Sequence, residues 1–291
     1  MKLLAALPIL ALSANAAADA KWTYEDQSDN WGKIGFCNGK TQSPISINDE
    51  DLIQPTGKDP LEASKFIETL RDQYFSAALR DIDTGHALRY NLNKEIVYKS
   101  INCYQFHLHI NHGEHLFNDQ THFAEAHMVC YKNKFEDVYA AAGSNEPDAL
   151  AVFGFPIDVD DNLVGDGLSM KSIIENYDLK VSDDVNVALP IPASTKKYYR
   201  YQGSLTTPDC NQVVTWTVFA EMTKISRAQM ERMMKMNSLT VGNFRVPQAM
   251  NGRKVTVYGD RSMKKEQNKK CKDKYEPLIK FMCRNYEHEE M

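Results

Sequence analysis

A chain of 291 residues has room for one large β-rich domain or two ordinary ones. With 43% hydrophobic and 25% charged residues it can bury a core, which excludes a chain disordered throughout. A formal net charge of −5 argues against a nucleic-acid binder, which usually carries net basic charge.

The chain opens on "MKLLAALPILALSANAAADA" (1–20). Lys2 precedes an apolar run to about Leu12, and small residues follow in Ala-x-Ala patterns ending at Ala16, Ala18 and Ala20. This is the layout of a secretory signal peptide, and the run is too short to span a bilayer core of about 30 Å. No later segment is apolar for long enough to cross a membrane. The expectation is a secreted chain, free of the membrane once the leader is cleaved. Secretion places the six cysteines in an oxidising compartment where disulfides persist. Cys271 and Cys283 are close together and apart from the rest, so they read as one pair. Spacing leaves the pairing of Cys37, Cys103, Cys130 and Cys210 open, with buried free thiols as the alternative for Cys103 and Cys130.

Short alternating runs dominate from about Ser76 to Tyr258. "SAALRDID", "HALRYNL", "INCYQFHLHI", "AEAHMVCY", "ALAVFGFPIDV", "QVVTWTVF" and "KVTVYG" read as strands separated by turn formers. Helical patterns are few. Residues 59–75 and 169–177 carry two of them. "SRAQMERMMKM" opens a third with Ser226, followed three residues later by Gln229, a capping box. There is no internal repeat, no glycine-rich phosphate loop and no G-x-S-x-G nucleophile elbow. Beyond Tyr258 the strand pattern stops, and 259–291 reads as a lysine-rich extension with a solvated face.

Seven of the eight histidines fall between His86 and His127. In a strand, residues i and i+2 share a face, so Gln105, His107 and His109 line up, the two imidazoles about 7 Å apart. "AEAHMV" puts Glu125 and His127 on one face of the next strand. Antiparallel pairing of the two strands brings His127 to the same point. Three neutral imidazoles leave a bound Zn2+ its full charge and a fourth position open to water, whose pKa falls to about 7. Gln105 and Glu125 are placed to take the second ring N–H of His107 and His127. This ligand type suits zinc, and also cobalt or copper. "HLHINHGE" has a competing parse as the H-x-H-x4-E half of a cupin metal motif, with Glu114 as a ligand. The second half of that motif does not appear after Glu114.

The chain resembles an α-class carbonic anhydrase in "QSPISI" (42–47), "TGHAL" (84–88), "QFHLH" with Glu114–His115, "AEAHMV", "YQGSLTTPDC" (201–210), "VVTWTVF" and "NFRVPQAMNGR". These motifs follow the family order from about Trp22 to Tyr258. The resemblance implies a single mainly β domain at 21–258, built on a large, mostly antiparallel twisted sheet with a few short peripheral helices. It implies Zn2+ on His107, His109 and His127, and reversible hydration of CO2 to bicarbonate and a proton by zinc-bound hydroxide. Thr206 would accept a hydrogen bond from the hydroxide and pass its own to Glu114, an orienting effect. Thr207 would line the substrate side. Val129, Val152, Leu205, Val214 and Trp216 match the wall that holds CO2, and His86 the proton shuttle. Cys37 and Cys210 match the disulfide of extracellular members, anchoring the loop of Thr206. The other reading is a catalytically silent relative that binds, stores or builds matrix. Such relatives typically lose a zinc histidine, and all three stand here.

The chain also departs from the family. "INHG" (110–113) is shorter than the usual segment before Glu114, and Ile110 replaces a tryptophan. Asp59–Phe75 looks like an insertion, and Asp209 stands where a second proline is common. Cys103 and Cys130 are additions, and strict alternation does not put their side chains on a common face.

Overall fold

The computed structural model describes residues 22–80, 88–165, 168–178, 184–236 and 242–259. The expected leader at 1–20, His86, Cys271, Cys283 and the lysine-rich stretch beyond Gly259 lie outside the described residues.

In chain order the first elements are β1 (Ser46–Ile47), β2 (Leu52–Ile53), α1 (Ala63–Leu70), β3 (Phe75–Arg80), β4 (Leu88–Tyr98) and β5 (Ile101–Ile110). Then come β6 (Leu116–Phe117), β7 (Ala124–Lys132), α2 (Val138–Ala142), β8 (Leu150–Val159), α3 (Leu168–Asp178) and β9 (Val185–Val187). The last are β10 (Tyr198–Gly203), β11 (Val214–Phe219), β12 (Thr223–Ile225), α4 (Arg227–Met236) and β13 (Val255–Tyr258).

Eleven of these strands form one sheet in the order β2-β13-β10-β11-β8-β7-β5-β4-β3-β9, with β12 also on β8. The pairings around the histidines, from β9 through β3, β4, β5 and β7 to β8, are all antiparallel. Within this sheet only β11 and β12 on β8 and β13 on β2 run parallel, and β1 and β6 form a separate parallel pair. The fold is therefore mainly β and mostly antiparallel, with helices at the periphery. The sheet is open, with β2 and β9 at its edges, so it is not the closed barrel that a cupin requires. Among the described residues no helix is long and apolar enough to cross a membrane.

The central position of β8 follows from its sequence. All ten residues of "LAVFGFPIDV" are buried, the mark of a strand covered on both faces. Alternation along β5 and β7 divides the apolar residues between two cores. Phe106, Leu108, Ala126 and Met128 join the core under α1, α3 and α4. Val129, Val152, Val214 and Trp216 join the other, with Leu205 packed against it, so the five expected wall residues share one cluster.

The 59–75 pattern yields a helix of eight residues only. Asp72, at φ +58, and Arg71 leave helical space, and Phe75 begins β3. Asp59 fastens this segment. It accepts the N–H groups of Leu61 and Ala63, the Tyr198 hydroxyl and both Nη groups of Arg200. The capping box of α4 is closed both ways: Gln229 N–H donates to Ser226 Oγ at 3.2 Å and Ser226 N–H to Gln229 Oε1 at 3.1 Å. Strands β9, β10 and β12 and the two-residue strands were not among those expected.

The structure holds two disulfides, Cys37–Cys210 and Cys103–Cys130, and no free cysteine among the described residues. The second forms because alternation fails at one place. The register runs Cys103 opposite Cys130, then Gln105 opposite Val129, leaving Tyr104 as an extra residue. Such a bulge reverses the side-chain phase. Cys103 thus turns into the core with Cys130, while Gln105 stays in phase with the histidines.

Candidate metal centre

Register builds the site. Tyr90, Phe106, Met128 and Phe153 stand opposite one another across four strands and point into the helix-covered core. The adjacent row, Arg89, His107, His127 and Gly154, therefore points to the other face. His109, two residues along β5, joins that face. One ring nitrogen from each of His107, His109 and His127 lies within 4.8 Å of the other two.

The second nitrogen of each ring is engaged. His107 Nδ1–H donates to Gln105 Oε1 at 3.1 Å, His127 Nε2–H to Glu125 Oε1 at 2.8 Å, and His109 Nδ1–H to the Asn243 carbonyl. These acceptors fix the tautomers. They leave lone pairs on His107 Nε2, His109 Nε2 and His127 Nδ1, and His109 Nε2 is buried without a hydrogen-bond partner. Burial holds His107 well below the usual imidazole range, and the neighbouring His109 and His127 add to this. Burial also lowers His109, against the charge of Glu114. Converging neutral imidazoles with an orphaned buried lone pair fit a tetrahedral metal such as Zn2+. Access lies on the side of His107, Leu205 and Thr207, which are only half-buried.

Glu125 is fully buried and holds more than His127. Its Oε1 also accepts from His115 Nδ1–H at 2.7 Å, and its Oε2 from the His115 backbone N–H at 2.9 Å. His122 Nε2 stands 3.3 Å from Oε2. Burial alone would raise this carboxyl, but the surrounding imidazoles, His115 foremost, hold it well below the usual carboxylate range. His115 Nε2 is 2.6 Å from the Tyr201 hydroxyl, which donates to Ser43 Oγ. His115, Glu125 and His127 also cluster closely enough to suggest a second ion, but their atoms are already bonded to one another. Gly154 makes this network possible, since a Cβ there would sit 2.9 Å from Glu125 Oε1.

The short 110–113 segment does deliver Glu114. Asn111 turns the chain at φ +75, and Gly113 N–H donates to the His122 carbonyl at 2.9 Å. A Cβ on Gly113 would meet His122 Nε2 at 1.9 Å. Glu114 is fully buried; its Oε1 accepts from Arg245 N–H at 2.8 Å, and its Oε2 lies 3.4 Å from His109 Nε2. Oε2 has no hydrogen-bond partner, and no Thr206–Glu114 hydrogen bond is formed among the described residues. Thr206 is buried in the turn after β10, which closes with Cys210 N–H on the Thr207 carbonyl at 2.8 Å and is pinned by Cys37–Cys210.

Sequence reasoning missed Asn243, His115, Tyr201 and Gly154. Asn243 fixes His109 and clamps its strand, accepting from Ile110 N–H at 2.7 Å and donating to the Leu108 carbonyl at 2.8 Å. Its presence in "NFRVPQAMNGR" was the available signal.

The model of the family described as eukaryotic-type carbonic anhydrase matches residues 26–259. Carbonic anhydrase 12 of Homo sapiens is 31% identical over 240 residues, covering 72% of this chain and 62% of that protein's length. Carbonic anhydrase 4 of Rattus norvegicus is 31% identical over 260 residues, 79% of each chain. Carbonic anhydrase 6 of Bos taurus is 26% identical over 270 residues, 84% of this chain and 82% of that one. With the family match running from before Trp31 to the end of β13 and taking in every strand that carries the histidine trio, the chain belongs to the eukaryotic-type carbonic anhydrase family.

Proposed function

We propose that the protein is a secreted zinc enzyme that hydrates CO2 reversibly to bicarbonate and a proton. The observation that carries this is the trio of tautomer-fixed imidazoles converging beside an apolar cluster. His107 Nε2, His109 Nε2 and His127 Nδ1 would hold the metal. Zn2+ there supplies a Lewis acid that brings the pKa of a water to about 7 and makes it a nucleophile at ordinary pH.

The chain's own residues do the rest. Val129, Val152, Leu205, Val214 and Trp216 form an apolar wall for a substrate with little to hydrogen-bond, and keep competing water away. Thr206 Oγ1 would orient the nucleophile by accepting its proton in a hydrogen bond and, on turning toward Glu114, donating to Oε2, the oxygen that is unpartnered in the structure. Thr207 borders the substrate. His86 accepts the released proton and passes it to buffer, a task suited to an imidazole, the side chain whose unperturbed pKa of about 6.5 lies nearest neutral pH. Gln105 and Glu125 hold the two end imidazoles in place.

Residues 1–20 act as the leader, 21–258 as the catalytic domain and 259–291 as an extension. Two disulfides suit an oxidising compartment and support secretion. A catalytically silent relative is the second reading, favoured by the missing Thr206–Glu114 hydrogen bond. Stopped-flow CO2 hydration on the mature protein, with zinc quantified in the same sample, decides between them. One zinc per chain with turnover that vanishes in His107→Ala is expected. Zinc without turnover would leave the silent relative, and neither in zinc-supplemented folded protein would overturn both the metal and the enzyme.

A further inference from the structure

The bulge in β5 brings two neighbouring side chains to the face of the site. In a regular strand Tyr104 and Gln105 would point to opposite faces. Here Tyr104 is the residue without an opposite number on β7. Its half-buried ring packs against the cluster of Val129, Val152 and Trp216, while Gln105 stays in phase with His107. The two side chains meet. Gln105 Nε2 donates to the Tyr104 hydroxyl at 3.1 Å, and Gln105 Oε1 accepts from His107 Nδ1–H at 3.1 Å.

A side-chain amide can be turned either way, and a neutral imidazole has one ring proton. With Oε1 toward His107, the proton sits on Nδ1 and the lone pair on Nε2, facing the other two histidines. With the amide turned over, its NH2 group faces His107. Nδ1 must then accept, and the proton moves to Nε2, where it blocks a metal. The Tyr104 hydroxyl favours the first arrangement by giving Nε2 an acceptor. Gln105 is buried, so an amide hydrogen that loses this acceptor has no ready replacement in water. Burial raises the Tyr104 hydroxyl above its usual range and keeps it protonated, while the Gln105 N–H and the charge of Arg89 act against this. The field of that charge favours a hydroxyl that accepts from Gln105 over one that donates to it.

We infer that Tyr104 is a positioning residue of the metal centre: its hydroxyl holds the Gln105 amide with Oε1 toward His107, and so keeps the His107 Nε2 lone pair free for zinc. The inference rests on the reading of the histidine trio as a zinc site, and not on the reaction run there.

Zinc affinity, read by chelator competition, tests this without reference to turnover. Tyr104→Phe keeps the ring and removes the hydroxyl. It is expected to weaken zinc about three- to tenfold, less than the 10–100-fold range for losing a ligand's direct partner. In a Gln105→Glu background the same substitution is expected to change zinc affinity by less than about twofold, because a carboxylate presents an oxygen to His107 whichever way it is turned. An unchanged affinity in Tyr104→Phe would overturn the inference. An equal loss in both backgrounds would overturn it too, since Tyr104 would then act through packing and not through the amide. Should Tyr104→Phe fail to fold, Tyr104→Leu takes its place with the same two expectations. CO2 hydration measured on the same samples keeps the claims apart. Zinc affinity that depends on Tyr104 in this way, without turnover, supports the inference and defeats the hydration reading. Turnover with zinc affinity indifferent to Tyr104→Phe defeats the inference alone. A parent protein that binds no zinc defeats both.

Discussion

Glu125 has three donors around two oxygens: His115 N–H, His115 Nδ1–H and His127 Nε2–H. In Glu125→Gln one oxygen becomes an NH2 group, and at least one donor then meets another donor in a buried place. Zinc affinity, read by chelator competition, should fall about 10–100-fold, the usual cost of losing a ligand's hydrogen-bond partner. Glu114 should behave differently. Gln can still accept from Arg245 N–H, and no metal ligand loses a hydrogen-bond partner, so Glu114→Gln should keep its zinc while turnover falls. Loss of zinc in that variant would instead make Glu114 a ligand. His112 gives a pH signature. It is buried and stacked on Phe244 with ring centroids 4.4 Å apart. Burial, opposed by its bond to the Gly113 carbonyl, pulls it from 6.5 to about 4. The unfolded chain therefore takes up a proton near pH 6.5 that the folded chain declines until about pH 4. Stability is unaffected above that window and falls as pH drops through it, by roughly 3 kcal/mol. Urea midpoints at pH 7 and pH 4.5 should differ less in His112→Gln than in the parent, and equal differences would clear His112 of the effect.

The strands 101–110 and 124–132 were readable because their alternation is strong and their histidines mark one face. The same alternation misread Cys103, because nothing in a sequence announces that Tyr104 is an extra residue; only pairing with β7 shows it. Strand β10 was missed because "YYRYQG" lacks a clean period, being buried on both faces for much of its length. The two-residue strands are set by tertiary contact and have no period to find. The site divides the same way: the histidines on regular strands could be placed on one face from spacing, whereas Asn243 comes from a loop 134 positions from the His109 that it holds. Helix α1 was foreseen, but its fastening was not. Asp59 caps its start and pairs with Arg200, whose side chain is 12% exposed. Asp59→Ala would strip the cap and strand a nearly buried guanidinium. A loss of about 3–5 kcal/mol in urea unfolding is expected. The carboxyl is held below its ordinary 3.8: burial raises it, but Arg200 and the Ala63 N–H outweigh that. Its stabilisation is present above about pH 4 and disappears as pH falls further, so parent and variant should converge in acid.

Across the molecule the histidine trio and the Thr206 turn are supported by different means. The trio stands on β5 and β7, in the interior of the sheet, bonded on both sides. The turn is held by a seam between distant segments. Phe36 N–H donates to the Asp209 carbonyl at 2.8 Å, Gln42 Nε2 to the Cys210 carbonyl at 3.2 Å and Arg245 Nη2 to the Cys37 carbonyl at 3.0 Å. The Cys37–Cys210 disulfide closes this seam across a sequence separation of 173. A loop of that length makes the bond a large restraint on the unfolded chain, worth up to about 5 kcal/mol. Replacing both cysteines by serine should therefore lower thermal stability strongly. It should also act unevenly on the site, because the seam positions Thr206 and, through Arg245 N–H, Glu114, but does not touch the pairing of β5 with β7. Zinc content should stay at one per chain while kcat per zinc falls. Zinc lost in step with activity, and turnover per remaining zinc unchanged, would mean that the seam supports the sheet itself and that the turn keeps its shape without the bond.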